Sequence, residues 1–275
     1  MKEQSLKKLH QFEVMALDEF DRICKKHGLT YYLIGGTLLG AVRHQGFIPW
    51  DDDIDVGMPR KDYNEFIRIA QSELPPQLFL QTINSDPGYD HFFAKLRINN
   101  TVFMEEAVKS SIRHQGIFID IFPLDGCKGR FGIMKQIRKK AIIALSNVIR
   151  RRRNSYARTY LNKFRNYLVS AVFALFSDKC IVCMVEKMMA GKGDYYINWS
   201  GRGGWKEDAM EKIVYNPSGE LFFEGKNYSV PNALDRYLSN LYGDDYMELP
   251  PVEKRETHNP IRLSFDTNGP DEILD

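Results

Sequence analysis

The sequence predicts an α/β fold of the α+β kind: a mixed β-sheet flanked by helices, with a mostly helical, basic subdomain. Three observations carry this. Helix-period segments alternate with short β-branched or aromatic runs up to about residue 126 and again after Gly191. From about Gly129 to Ala190 the pattern turns helical, apolar and basic. Aspartates stand inside otherwise apolar strands, where the residue type is depleted and an unpaired carboxylate is costly to bury. The expected organisation is an α/β core over 1–128, a helical basic insertion over 129–190, and a C-terminal part, 191–275, packing back on the core.

Each element follows in order. Phe12, Met15, Ala16, Phe20, Ile23 and Cys24 recur at helical spacing, so an amphipathic helix opens the chain, ending at His27-Gly28. Thr30 to Ile34 (TYYLI) reads as a strand. Gly35-Gly36 breaks it, and Thr37 is expected to N-cap a short helix over Leu38 to Arg43. A strand over Ile54 to Gly57 and a helix over Arg60 to Ala70 follow. Further strands are expected at Leu78–Gln81, Phe92–Ile98, Val102–Glu105 and Gly116–Phe122. Beyond the basic region come a Gly-rich tract, strands at Leu221–Phe223 and Tyr228–Pro231, a helix over Ala233–Tyr242, and a tail read as an ordered loop.

Net charge is only +2, yet Gly126 to Ser177 holds thirteen Lys or Arg and no acid, leaving 2 − 13 = −11 for the remainder. That asymmetry predicts an anionic partner for the central segment. Three readings rank in order: an anionic membrane met peripherally through 129–177, a polyanionic glycan, and, last, nucleic acid. The four cysteines are scattered, and Cys180-Ile-Val-Cys183 reads as small buried helix residues rather than a zinc or redox site. The N-terminal residues resemble neither a signal peptide nor a span, and the apolar run near 167–176 is shorter than the roughly 20 residues a bilayer needs. The expected location is cytoplasmic, at the inner face of the membrane.

The chemistry concentrates in GGTLLGAVRHQGFIPWDDDIDVGM, Gly35 to Met58, where four aspartates fall within five residues. Residues two apart on a strand share a face, so Asp53 and Asp55 project together while Ile54 and Val56 enter the core. Such a pair repels unless a cation holds it, and oxygen ligands suit Mg²⁺, one ion or two. Gly35, Gly36 and the helix start at Thr37 offer backbone N–H groups to a phosphate. Asp120 repeats the oddity in the apolar strand GIFIDIF, whereas Asp125 reads as a turn residue. At least one of Asp51 and Asp52 reads as a solvated turn. Arg43 follows the short helix and is a candidate to face a bound phosphate. Lys95 and Arg97 share a strand face and are candidates to neutralise phosphate charge. Trp50, with Tyr89, Trp199 and Trp205, is a candidate aromatic contact for a ligand. Arg255 and His258 in the tail either close over the site or anchor the C-terminus.

The order strand, Gly-Gly-Thr, helix, Asp-x-Asp strand resembles the nucleotidyltransferase signature. The block GGTLLGAVRHQGFIPWDDDIDVGMPRKDY, with FAKLRINNT, GIFIDIFPLDG and LYGDDYMELPPVEKRETH, resembles the LicD family of phosphocholine transferases, which includes fukutin-related proteins. The basic middle matches no motif. The resemblance implies a nucleotidyltransferase-type sheet and Mg²⁺-dependent transfer of a phospho-alcohol, phosphocholine first, from CDP-choline or a related CDP-alcohol. The acceptor would be a hydroxyl of a surface glycan precursor, of teichoic acid or lipopolysaccharide type and possibly lipid-linked. CDP-ribitol as donor, or RNA nucleotidyl transfer, are the alternatives. It assigns phosphate binding to Gly36 and Thr37, metal binding to Asp53 and Asp55, and a third-ligand or general-base role to Asp120.

Overall fold

The computed structural model describes residues 2–106, 112–129, 132–153, 169, 171–200, 209–255, 257–269 and 271–272. The Gly-rich tract, Trp205 and much of the basic segment lie outside them. Helix α1 spans Glu3–His27 and ends at Gly28, whose left-handed φ of 62° returns its N–H to the carbonyls of Cys24 and Lys25. Its buried stripe is Leu6, Leu9, Glu13, Ala16, Leu17, Phe20, Ile23 and Cys24. Met15, expected on that face, is 41% exposed, because the stripe is centred on its neighbours Ala16 and Leu17.

Strand β1 is only Tyr32–Leu33, and α2 starts at once, running Gly35–His44. Ile34, not Thr37, holds the cap position and makes no side-chain cap. Gly35, at φ +56°, makes the abrupt turn from strand to helix. Strand β2 (Asp55–Pro59) leads into α3 (Arg60–Glu73), then β3 (Leu78–Gln81), β4 (Ala94–Ile98), β5 (Val102–Met104) and β6 (Phe118–Cys127).

Strand β6 is buried at every position and organises the sheet. Its first half lies between β2, parallel, and β4, antiparallel, in the order β1-β2-β6-β4-β3. Its end pairs with β7 (Tyr195–Ile197), which pairs with β8 (Ala209–Glu211), making seven strands. Because β6 continues past Phe122, Asp125 is no turn residue. It is fully buried and takes two hydrogen bonds from Arg60, at 2.8 and 2.7 Å. The chain closes with α6 (Lys212–Tyr215), the hairpin β9 (Gly219–Phe223) and β10 (Lys226–Val230), α7 (Leu234–Tyr242) and a 3-10 turn at Val252–Lys254. Strand β11 (Arg262–Ser264), not expected from the sequence, ties the C-terminal part back to β5.

The basic region forms α4 (Ile133–Arg153) and α5 (Asp178–Met189). Ile142, Leu145, Val148 and Ile149 of α4 meet Ile181, Val182, Val185 and Met189 of α5 in a second apolar cluster closed by Trp199 and Ile197. Cys180 is half-buried and Cys183 exposed, because the buried stripe of α5 runs through Ile181, Val182 and Val185 instead. Among the described residues no helix is long and apolar enough to cross a membrane.

Candidate active site

Parallel pairing of β2 with β6 sets Asp55 directly beside Asp120. Asp53 lies two residues before Asp55, and Ile54 and Val56 are fully buried beneath. The side-chain oxygens of Asp53, Asp55 and Asp120 come within 4.8 Å of one another. Thr37, inside the first turn of α2, fixes the approach: its Oγ1 accepts the Asp55 N–H at 2.8 Å. The two glycines let the backbone come close to carboxylates. A Cβ on Gly36 would stand 2.7 Å from Asp51 Oδ2, and one on Gly35 would stand 3.1 Å from Asp55 Oδ2. The first turn of α2, whose N–H groups lack intrahelical acceptors, therefore lies against the acidic cluster.

Burial first, then the neighbouring carboxylates, raise the pKa of Asp55 well above the usual range. The same causes push Asp51 up to about 8. Burial also raises Asp53, against the opposing charge of His258. Such crowding is relieved by a cation, and an all-oxygen trio suits Mg²⁺. A second grouping, Asp52, Asp53 and His258, is a poorer fit. Burial opposes charge on His258, but its hydrogen bond to Asp52 and the charges of Asp53 and Asp52 prevail and push it up to about 9. A protonated imidazole is a cation, not a ligand.

Asp52 is not a solvated turn residue. It is 1% exposed and accepts the His258 backbone N–H and Nδ1 at 3.0 Å, fastening the C-terminal tail to the acidic loop. Asp51 is also largely enclosed, its backbone carbonyl bonded to His10 Nε2 at 2.8 Å. Lys95, buried on β4, places Nζ 2.5 Å from Asp120 Oδ1 and 3.3 Å from the Phe118 ring centre. Burial draws its pKa down to about 8, against the pull of Asp120. Arg97 shares that strand face, but its guanidinium donates to Gln81 and to the Gly116 carbonyl. Arg43 donates to the carbonyls of Tyr246 and Glu248 and so secures the tail. Trp50 packs against the core under the Arg255 guanidinium, 4.1 Å from the ring centre. Tyr89 is fully buried, and Trp199 donates to the Met189 carbonyl in the second apolar cluster.

Sequence reasoning missed Asp51, Asp52 and Glu13. Glu13 is 1% exposed on the apolar stripe of α1, and burial and the charges of Asp53, Asp52, Asp51 and Asp120 raise its pKa well above normal. The signal was present: an acid between Leu9 and Ala16 on a buried face is the same anomaly that singles out Asp55.

Residues 28–139 match the family model described as the LicD/FKTN/FKRP nucleotidyltransferase domain. The chain is 31% identical over 270 residues to the lipopolysaccharide cholinephosphotransferase LicD of Haemophilus influenzae, covering 94% of this chain and 97% of that protein. The chain belongs to the LicD family. As a LicD protein it is a phosphotransferase. A shorter block, 46 residues at 54% identity, matches the human ribitol 5-phosphate transferase FKRP, covering 17% of this chain and 9% of that one. An uncharacterized protein of Rickettsia typhi is 52% identical over 44 residues, 16% of this chain and 14% of its own. The family places the acidic loop and the first turn of α2 in a nucleotidyltransferase domain.

Proposed function

We propose that this LicD protein transfers phosphocholine from CDP-choline to a hydroxyl of a cell-surface glycan precursor, with Mg²⁺ as cofactor. The observation that carries the reading is the convergence of Asp53, Asp55 and Asp120 against the first turn of α2. Bound there, Mg²⁺ would supply charge stabilisation for a diphosphate and its leaving CMP. Asp53 and Asp55 would hold it, with Asp120 within reach of the same ion. Gly36 and Thr37 offer first-turn N–H groups to the donor phosphates. Asp120 takes the proton of the acceptor hydroxyl. That oxygen bonds to the β-phosphorus in line as the bond from phosphorus to the CMP oxygen breaks. Lys95, bonded to Asp120, offsets negative charge on the transferred group. The choice of choline rests on the full-length likeness to the Haemophilus enzyme, and the acceptor is of lipopolysaccharide or teichoic acid type. The short likeness to FKRP supports a second donor, CDP-ribitol.

Calorimetric titration with CDP-choline, CDP-ribitol and CDP, with and without Mg²⁺, tests this. The expected result is Mg²⁺-dependent binding of CDP-choline, tighter than CDP. Tighter binding of CDP-ribitol would transfer the assignment to that donor. Absence of nucleotide binding would overturn it.

A further inference from the structure

Helix α4 is apolar on two sides. Its inner side packs on α5 through Ile142, Leu145, Val148 and Ile149. Its outer side carries Ile133 at 74% exposure, Ile137 at 56% and Ile143 at 45%. At the far end of α4, Arg152 donates to the carbonyls of Phe173 and Phe176, holding a turn on which Val172 and Leu175 are exposed. Clusters of large exposed aliphatics mark contact surfaces. Lys140, also exposed, stands with Ile133 and Ile137 on one helical stripe, and no acidic residue occurs from Gly126 to Ser177.

We propose that the outer face of α4 seats on an anionic lipid bilayer. The charge of the segment selects this occupant. A second copy of the chain would bring two strongly basic segments together. A nucleic acid would need outward arginines and would leave the isoleucines uncovered. Here Arg150 turns to Asp90, and Arg152 and Arg153 to Asp178 and backbone carbonyls. A lipid surface takes both components: the aliphatics enter the acyl boundary and the Lys140 stem reaches the headgroups. The inference is independent of which phospho-alcohol is transferred.

Sedimentation with vesicles of phosphatidylcholine, with and without phosphatidylglycerol, tests it on the full chain. The expected result is binding to vesicles containing phosphatidylglycerol, weaker on phosphatidylcholine alone. The Ile133→Asp/Ile137→Asp double variant is expected to lose at least about tenfold in partitioning. Both positions are exposed, so its melting temperature should match that of the parent protein. Unchanged partitioning of that variant would overturn the proposal, as would no binding of the parent to phosphatidylglycerol vesicles. Concentration-dependent dimerisation abolished by the same substitutions, without vesicle binding, would assign the face to a second copy instead.

Discussion

The acidic loop at 51–55 and the basic run at 150–153 are both dense runs of one sign, and the fold treats them oppositely. The arginines are dispersed. Arg150 reaches Asp90 at 3.5 Å, Arg152 reaches Asp178 at 2.7 Å, and Arg153 donates to the Ile83 carbonyl at 2.8 Å. The carboxylates are gathered. Asp53, Asp55 and Asp120 point at one another, with Asp51 and Glu13 close behind, and among the described residues Lys95 and His258 answer them. A charge run whose members turn to acids and carbonyls of the fold is architecture. A charge run that the fold forces together raises carboxylate pKa values, as at Asp51 and Asp55, and makes a place where a cation would be welcome. Density of charge in a sequence therefore says less than where the backbone sends each side chain.

The sharpest way to break this comparison is to remove the gathered carboxylates. Asp53→Ala and Asp55→Ala are each expected to lower turnover about 10⁴-fold, the several kcal/mol a bound cation contributes. At a hundred times its dissociation constant, Mg²⁺ should stabilise the parent protein by about 2.7 kcal/mol, or roughly 5–10 °C in melting temperature. Both variants should lose that shift, and EDTA should remove it from the parent. Near-normal turnover in either variant would sink the metal role.

Asp120→Asn separates the two roles left to that residue. A general base contributes on the order of 10³ in rate, so turnover should fall by that much while the Mg²⁺-induced melting shift survives. Loss of the shift would make Asp120 an essential ligand. Among the dispersed charges the effect should be on stability alone. Arg153→Met leaves the Ile83 and Tyr89 carbonyls without their donor, at a cost of about 1–3 kcal/mol and a few degrees of melting temperature. Turnover per folded molecule should not change; a large fall would place the run in the site.

Much of this was legible before any coordinates. Helix α1, the strand at β2, α3 and α7 follow from period and end signals, and the placement of Asp53, Asp55 and Asp120 follows from carboxylates in apolar strands. What escaped was long-range. Asp52 looks like a turn aspartate until His258, 206 residues away, supplies its partner. Asp125 looks like a turn until Arg60 buries it. Arg43 looks like a free helix-end cation until the carbonyls of Tyr246 and Glu248 appear as acceptors for its Nη1. Local pattern records that a polar residue is out of place, and tertiary pairing decides whether its partner is protein or ligand.

Thr37 offers the finest adjustment of the comparison, because it acts on a gathered carboxylate without touching its charge. Its hydroxyl accepts the backbone N–H of Asp55, so the side chain sets where β2 begins and where that carboxylate stands. Thr37→Val keeps the shape and removes the acceptor, leaving a half-buried N–H unmatched at a cost of about 1 kcal/mol. The expected outcome is a melting temperature lower by about 2–4 °C. Mg²⁺ affinity should fall by no more than about tenfold, and Thr37→Ser should restore both. A loss of turnover as deep as that of Asp55→Ala, with the melting temperature unchanged, would mean that the hydroxyl meets the donor phosphates directly. The hydroxyl, like the Thr37 backbone N–H, would then serve substrate binding rather than the positioning of Asp55.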